Sequence, residues 1–138
     1  MIECKQIDHS DQAGASMADS LNILSVGYVA LRDPVCDVLF ELRNCRLSFA
    51  TNYPELWAVT GHIDVAILHP TLPASELGEA ARLIRSRWPH ARILVIRGDE
   101  GCLEDALYDD RLLPGPGGEL LLSAIEQLTG RRCERELE

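Results

Sequence analysis

Short, uninterrupted apolar runs set between longer segments of helical spacing constrain this chain more than any other feature. Asp64-Val65-Ala66-Ile67-Leu68 and Arg92-Ile93-Leu94-Val95-Ile96 do not alternate apolar with polar residues, so a strand built from either is apolar on both faces. Both faces must then be covered, and a parallel sheet held between helices is the arrangement that covers them. Neither run approaches the roughly 20 residues needed to span a bilayer, so no membrane association is expected.

The remaining segments fall into the same alternation. Asn22-Ile23-Leu24-Ser25-Val26 reads as a first strand. In residues 33–42, Asp33 can cap, Pro34 suits the first helical position, and Val35, Val38, Leu39 and Leu42 share one face, which predicts a helix. Arg46-Leu47-Ser48-Phe49-Ala50 alternates as a second strand, and residues 52–59, with Pro54 and Glu55 in the first turn, predict a short second helix. After the run at 64–68, residues 75–88 place Leu77, Ala80, Ala81, Ile84 and Trp88 on one side of a helix that Pro89 stops. The run at 92–96 is followed by a brief helix at 102–108, a weaker strand Arg111-Leu112-Leu113, and a last helix at 118–128 ended by Gly130. Repeated strand-helix pairs with right-handed crossovers predict an α/β fold, a doubly wound five-stranded parallel sheet in three α/β/α layers.

The 138 residues, 46% hydrophobic and 25% charged, suit one domain and are too few for two well-cored ones. Residues 1–20 show no apolar period and read as a disordered arm, with Met17 as an alternative start to Met1. Residues 21–130 form the domain, and 131–138 form a charged tail expected to fray from the last helix. Thirteen Lys plus Arg against 22 Asp plus Glu give a formal charge of -9, which argues against nucleic acid as a partner. Cys4, Cys36, Cys45, Cys102 and Cys133 include no Cys-x-x-Cys pair and follow no apolar leader. Reduced thiols in a cytoplasmic protein are expected, rather than disulfides or a zinc site.

In an open parallel sheet, a site lies beyond the carboxyl ends of the strands. That directs attention to Gly27 and Tyr28, His69, Arg97 and Gly98, and Pro114 and Gly115. Over residues 21–128 the sequence resembles the response-regulator receiver domains of two-component signalling. The resemblance is carried by Ile23-Leu24-Ser25-Val26, by the 64–68 run with His69-Pro70-Thr71-Leu72-Pro73 after it, by the 92–96 run, and by Leu112-Leu113-Pro114-Gly115-Pro116 leading into Glu119-Leu120-Leu121. It implies the flavodoxin-like strand order 2-1-3-4-5 and a bacterial signalling role.

A working receiver has two acidic residues after the first strand to hold Mg²⁺, a phosphoaccepting aspartate after the third, a hydroxyl after the fourth and a lysine after the fifth. Here the resemblance puts the acidic pair on Gly27 and Tyr28, the acceptor on His69, the hydroxyl on Arg97, and the lysine on Pro114 or Gly115. Mg²⁺ relies on carboxylates beside its waters, and phosphoryl transfer relies on cations that neutralise the equatorial oxygens. The expectation is therefore a degenerate pseudo-receiver with no metal, no cofactor and no catalytic residue, and with Arg97 placing a fixed positive charge near the vacated cation position.

The rival readings are specific. His69 could accept a phosphoryl group itself, but a hydrogen-bonded filler is the simpler role for a histidine at a strand end. Arg97, His69 and the amides of Gly27, Tyr28 and Gly98 could instead form a small-anion or ligand-sensing pocket, with Asp99 and Glu100 nearby as ion-pair partners. No Gly-x-Gly-x-x-Gly, Walker or Gly-x-Ser-x-Gly motif is present, which weighs against a nucleotide site or an enzyme. Trp57 and Trp88 are expected to pack half in the core. The remaining role is protein contact, with a partner in a signalling pathway or with a second copy as a homodimer. Leu103, Leu107, Tyr108, Leu120, Leu121 and Leu122 are the candidate interaction face, because three consecutive leucines cannot all point inward on one helix.

Overall fold

The structure is a computed structural model. It describes residues 20–28, 34–98, 103–114 and 118–134, apart from the side chains of Pro34 and Asp105. Its elements are β1 (Leu21–Val26), α1 (Pro34–Phe40), β2 (Cys45–Ala50), α2 (Tyr53–Leu56), β3 (Val65–Leu68), α3 (Ala74–Arg87), β4 (Arg92–Ile96), a 3-10 turn (Asp105–Leu107), β5 (Asp110–Leu112) and α4 (Gly118–Thr129). All the strand pairs are parallel, and the sheet order is β2-β1-β3-β4-β5. The expected doubly wound fold and strand order are therefore observed.

Alternation of side chains along each strand divides the core into two layers. Leu24, Val26, Ala66, Leu68, Ile93 and Val95 face α2, α3 and the 3-10 turn, where they meet Leu56, Leu77, Ala81, Ile84 and Trp88. Ile23, Val65, Ile67, Leu94 and Ile96 face α1 and α4, where they meet Leu39, Leu121, Leu122 and Ile125. Every residue of β3 is fully buried, as its unbroken apolar run requires. Each buried Leu or Ile contributes about 1.5–3 kcal/mol relative to its exposed state. On the second layer the first turn of α4 lies directly on α1. A Cβ on Gly118 would sit 2.5 Å from Val38 Cγ2, so only glycine permits this approach.

Several expected elements are shorter than their spacing predicts. α1 stops at Phe40, although Leu42 is still buried. α2 is a single turn rather than 52–59. Its entry is as expected, since Asn52 Oδ1 accepts from Glu55 N–H at 3.0 Å while the Glu55 carboxylate accepts from Thr51 N–H at 2.8 Å. Past its C-cap Trp57, Ala58 and Val59 N–H donate to the Glu55 and Leu56 carbonyls, and the chain then runs to Gly61, whose φ is 95° and whose carbonyl accepts from Trp88 Nε1 at 2.8 Å.

The helix expected at 102–108 is only the 3-10 turn, and Cys102 lies outside the described residues. The Asp109 carboxylate explains how this crossover is held. It accepts from Ile93 N–H at 2.7 Å and lies 3.2 Å from Arg85 and 3.6 Å from Arg92, while Arg85 also donates to the Ala106 carbonyl. β5 spans Asp110–Leu112, one residue earlier than expected, and Leu113 is 70% exposed.

The described part of the tail is hydrogen-bonded back to the domain. Arg131 donates to the Ser20 carbonyl at 2.8 Å, Asn44 Nδ2 donates to the Arg132 carbonyl at 3.2 Å, and Arg43 N–H donates to the Glu134 carbonyl at 2.7 Å. Of the expected arm at 1–20, residues 1–19 lie outside the described residues, as does the tail end at 135–138.

Candidate functional site

Register places the candidate residues. Val26 pairs with Leu68, so Gly27 and His69 leave the sheet side by side. Gly27 N–H donates to the Ala50 carbonyl and His69 N–H to the Val26 carbonyl, each at 2.8 Å, so both positions are set by the ladder itself. Gly27 has a φ of 132°, which side-chain-bearing residues rarely adopt. A Cβ there would lie 2.7 Å from His69 Cβ and 2.9 Å from Thr71 Oγ1.

His69 is only 2% exposed, and its Nδ1 is committed to the loop that follows β3. Thr71 Oγ1 lies 3.0 Å from Nδ1 and donates to the Tyr28 carbonyl at 2.7 Å. A hydroxyl has one proton, so both contacts are hydrogen bonds when Nδ1 carries the hydrogen. With Nδ1 bare, Thr71 N–H donates to it at 3.3 Å instead. In either tautomer Thr71 ties the loop after β3 to the chain leaving β1. Thr71 is the site residue that sequence reasoning passed over, although it sits two residues after His69, within reach of a local side-chain turn.

Arg97 turns toward the loop that follows β3. Its guanidinium donates to the Leu72 carbonyl at 2.8 Å, and Arg111 in turn donates to the Arg97 carbonyl at 3.1 Å. The half-buried Arg97 is thus a strap from β4 to the turn after β3, which the Leu72 N–H to His69 carbonyl bond closes at 3.0 Å. Gly98 is exposed beside Pro114. Ile96 pairs with Leu112, so Leu113 rather than Pro114 stands level with Arg97. Gly115, Asp99 and Glu100 lie outside the described residues.

The Mg²⁺ that the resemblance implies does not fit these residues. Gly27 and Tyr28 bring no carboxylate, the Tyr28 carbonyl already accepts from Thr71, and the space a carboxylate stem would need is filled by His69 Cβ. Among the described residues no cluster of three or more His, Cys, Asp or Glu side chains could hold a metal ion.

The residues of the candidate interaction face differ widely in exposure. Leu103, Leu121 and Leu122 are 8%, 4% and 7% exposed and belong to the core, while Leu107 and Tyr108 are half-buried against the α3 layer. Helical spacing turns Leu121, Leu122 and Ile125 inward and leaves Leu120 outside at 64% exposure. Trp57 is also more exposed than expected, at 58%, whereas Trp88 is buried.

A second polar centre, unanticipated from sequence, lies at the opposite end of the sheet. Asp64 accepts from Asn22 N–H at 2.8 Å and Asn22 Nδ2 at 3.3 Å, and pairs with His62 at 2.8 Å and Arg131 at 3.8 Å. Beside it is an open cleft of about 380 Å³ lined by residues of the 60–63 loop and the 87–90 turn. Arg87, on its wall, stacks 4.8 Å over Trp88 and donates to the Leu56 and Trp57 carbonyls.

The strand order and the two helical layers are similar to those of solved receiver domains. Solved structures of similar fold include the BeF3-activated DrrB receiver domain, with a TM-score of 0.66, 19% identity, and coverage of 81% of this chain and 99% of that one. The chemotaxis response regulator CheY4 of Vibrio cholerae gives a TM-score of 0.64 at 18% identity, covering 79% of this chain and 98% of its own. A response regulator from Thermotoga maritima gives 0.60 at 17% identity, covering 80% and 98%. No family model and no curated protein matches the sequence. The likeness establishes the flavodoxin-like receiver fold, and no helix among the described residues is long and apolar enough to cross a membrane.

Proposed function

We propose that this chain is a receiver-like domain of two-component signalling that takes no phosphoryl group, has no enzymatic activity, and acts in the bacterial cytoplasm by contact with another protein. The observation that carries this reading is the packing of His69 against Gly27. His69 is 2% exposed and its Cβ fills the place that a carboxylate stem at position 27 would need. Phosphoryl transfer depends on an in-line nucleophile and on cations around the transferring group. Gly27 and Tyr28 supply no carboxylate for a metal, and Arg97 is already donating to the Leu72 carbonyl.

An amide NMR titration tests the proposal. Mg²⁺ is added first, then beryllofluoride as a stand-in for the phosphoryl group, then inorganic phosphate. The expected result is no shift at Gly27, His69 or Arg97 at millimolar concentrations. Joint shifts with Mg²⁺ and beryllofluoride overturn the proposal, and shifts with phosphate alone replace it with the anion-sensing reading.

A further inference from the structure

The two edges of the sheet are protected very differently. β5 is three residues long, begins with Asp110 and Arg111, and is followed by Pro114, all features that discourage pairing with another strand. β2 is six residues long, pairs in register with β1 along its whole length, and contains one charged residue, Arg46. It has neither proline nor a break in register.

The ladder shows which backbone groups of β2 face outward. Leu21 N–H donates to the Asn44 carbonyl and Gly27 N–H to the Ala50 carbonyl, so residues 46, 48 and 50 turn their backbone groups toward β1. In a parallel pair the N–H and C=O of one residue point the same way. Leu47 and Phe49 therefore present theirs to the side of β2 away from β1, where no described strand pairs. Their side chains lie on the α1 side, where the Phe49 ring is 5.8 Å from that of Phe40, itself 53% exposed.

We propose that β2 pairs antiparallel with β2 of a second copy of this chain, about a two-fold axis at Ser48, giving one continuous sheet. The strand is self-complementary under that operation. Leu47 lies opposite the second copy's Phe49, and the pair exchanges both backbone hydrogen bonds, once on each side of the axis. Charge fixes the direction. Arg46 lies near the start of the edge, and Glu55 is held at its far end by Thr51 N–H, whose hydrogen bond lowers the pKa of that carboxyl and keeps it ionised. Ala50 would lie opposite Arg46, which brings Glu55 of one copy toward Arg46 of the other on the α2 side of the sheet. Parallel pairing would set like charges together instead.

Sedimentation velocity of the full chain across a concentration series tests this. The wild type is expected to self-associate. Arg46→Glu and Glu55→Arg are each expected to weaken association about tenfold, and the double reversal to restore it. Leu120→Glu, on the opposite flank, is expected to leave association unchanged. Hydrogen exchange at the Leu47 and Phe49 amides should slow as concentration rises, a readout that needs no variant. A monomer throughout the series overturns the proposal, as does a dimer indifferent to the charge reversals or abolished by Leu120→Glu. Neither result bears on whether the His69 pocket takes a phosphoryl group, because the NMR titration reads that directly.

Discussion

The two ends of the sheet are held together in opposite ways. At the carboxyl end, an imidazole, a hydroxyl and a peptide carbonyl form a chain from His69 through Thr71 to Tyr28, packed against Gly27. At the amino end carboxylates do the joining, since Asp64 accepts from both nitrogens of Asn22 and faces His62 and Arg131, and Asp109 accepts from Ile93 N–H. A receiver that works by phosphorylation needs its carboxylates at the carboxyl end. Here the best-connected carboxylate described lies at the other end, where it fastens β1, β3 and the tail. Polar connectivity at the carboxyl end of a parallel sheet is thus compatible with packing that leaves no room for a side chain at position 27.

The contrast breaks most readily at Gly27. Gly27→Ala combines a φ of 132° with a Cβ only 2.7 Å from His69 Cβ. The expected loss of stability is about 2–4 kcal/mol, read as a lower urea midpoint at unchanged slope. A loss under about 0.5 kcal/mol, the range of ordinary surface changes, would show that the carboxyl end is loosely packed.

Asp64→Ala addresses the amino end. It removes the acceptor of the Asn22 amide and should cost about 2 kcal/mol, less than the change at Gly27. Loss of slow hydrogen exchange at Asn22 N–H, with exchange at His69 N–H unaltered, would localise the damage. Equal effects at the two amides would mean that the ends are not independent.

The smallest effect concerns the tail. Burial, and then the neighbouring Glu126 charge, push the Cys133 thiol up from 9.0 to about 11. The folded state therefore holds this proton more tightly than the unfolded chain does. The associated stability is fully present below pH 9 and is lost as pH rises through about 11. Urea midpoints should accordingly fall across that alkaline window in the wild type and fall less in Cys133→Ala. A fall of equal size in both would assign the pH dependence to other groups.

Much of the fold was legible because burial on two faces leaves a local mark. Val65, Ala66, Ile67 and Leu68 are consecutive and fully buried, and the 75–88 spacing finds its helix in α3. The short elements were not legible, because their ends are decided by distant partners. The 102–108 spacing predicts a helix, yet Asp109 holds that crossover down through Ile93, Arg85 and Arg92. Likewise a charged tail reads as frayed until Arg131 is seen to reach Ser20, 111 positions away. Of the candidate site, Gly27 and His69 were legible as strand-end residues, whereas Thr71, the Leu72 carbonyl and the place of Leu113 emerged only from loop geometry and register.

Taken alone, the sequence determined the layer order, the strand order through its resemblance, and the absence of carboxylates at positions 27, 28 and 69, since each follows from residue types and their local period. The tertiary structure alone decided that His69 is sealed against Gly27, that Arg97 is a strap, and that Leu120 rather than Leu122 reaches solvent. It also decided that β2, a six-residue strand, stands at one edge of the sheet. Those outcomes depend on which backbone groups and side chains meet across crossovers of dozens of residues, and local spacing carries no record of such meetings.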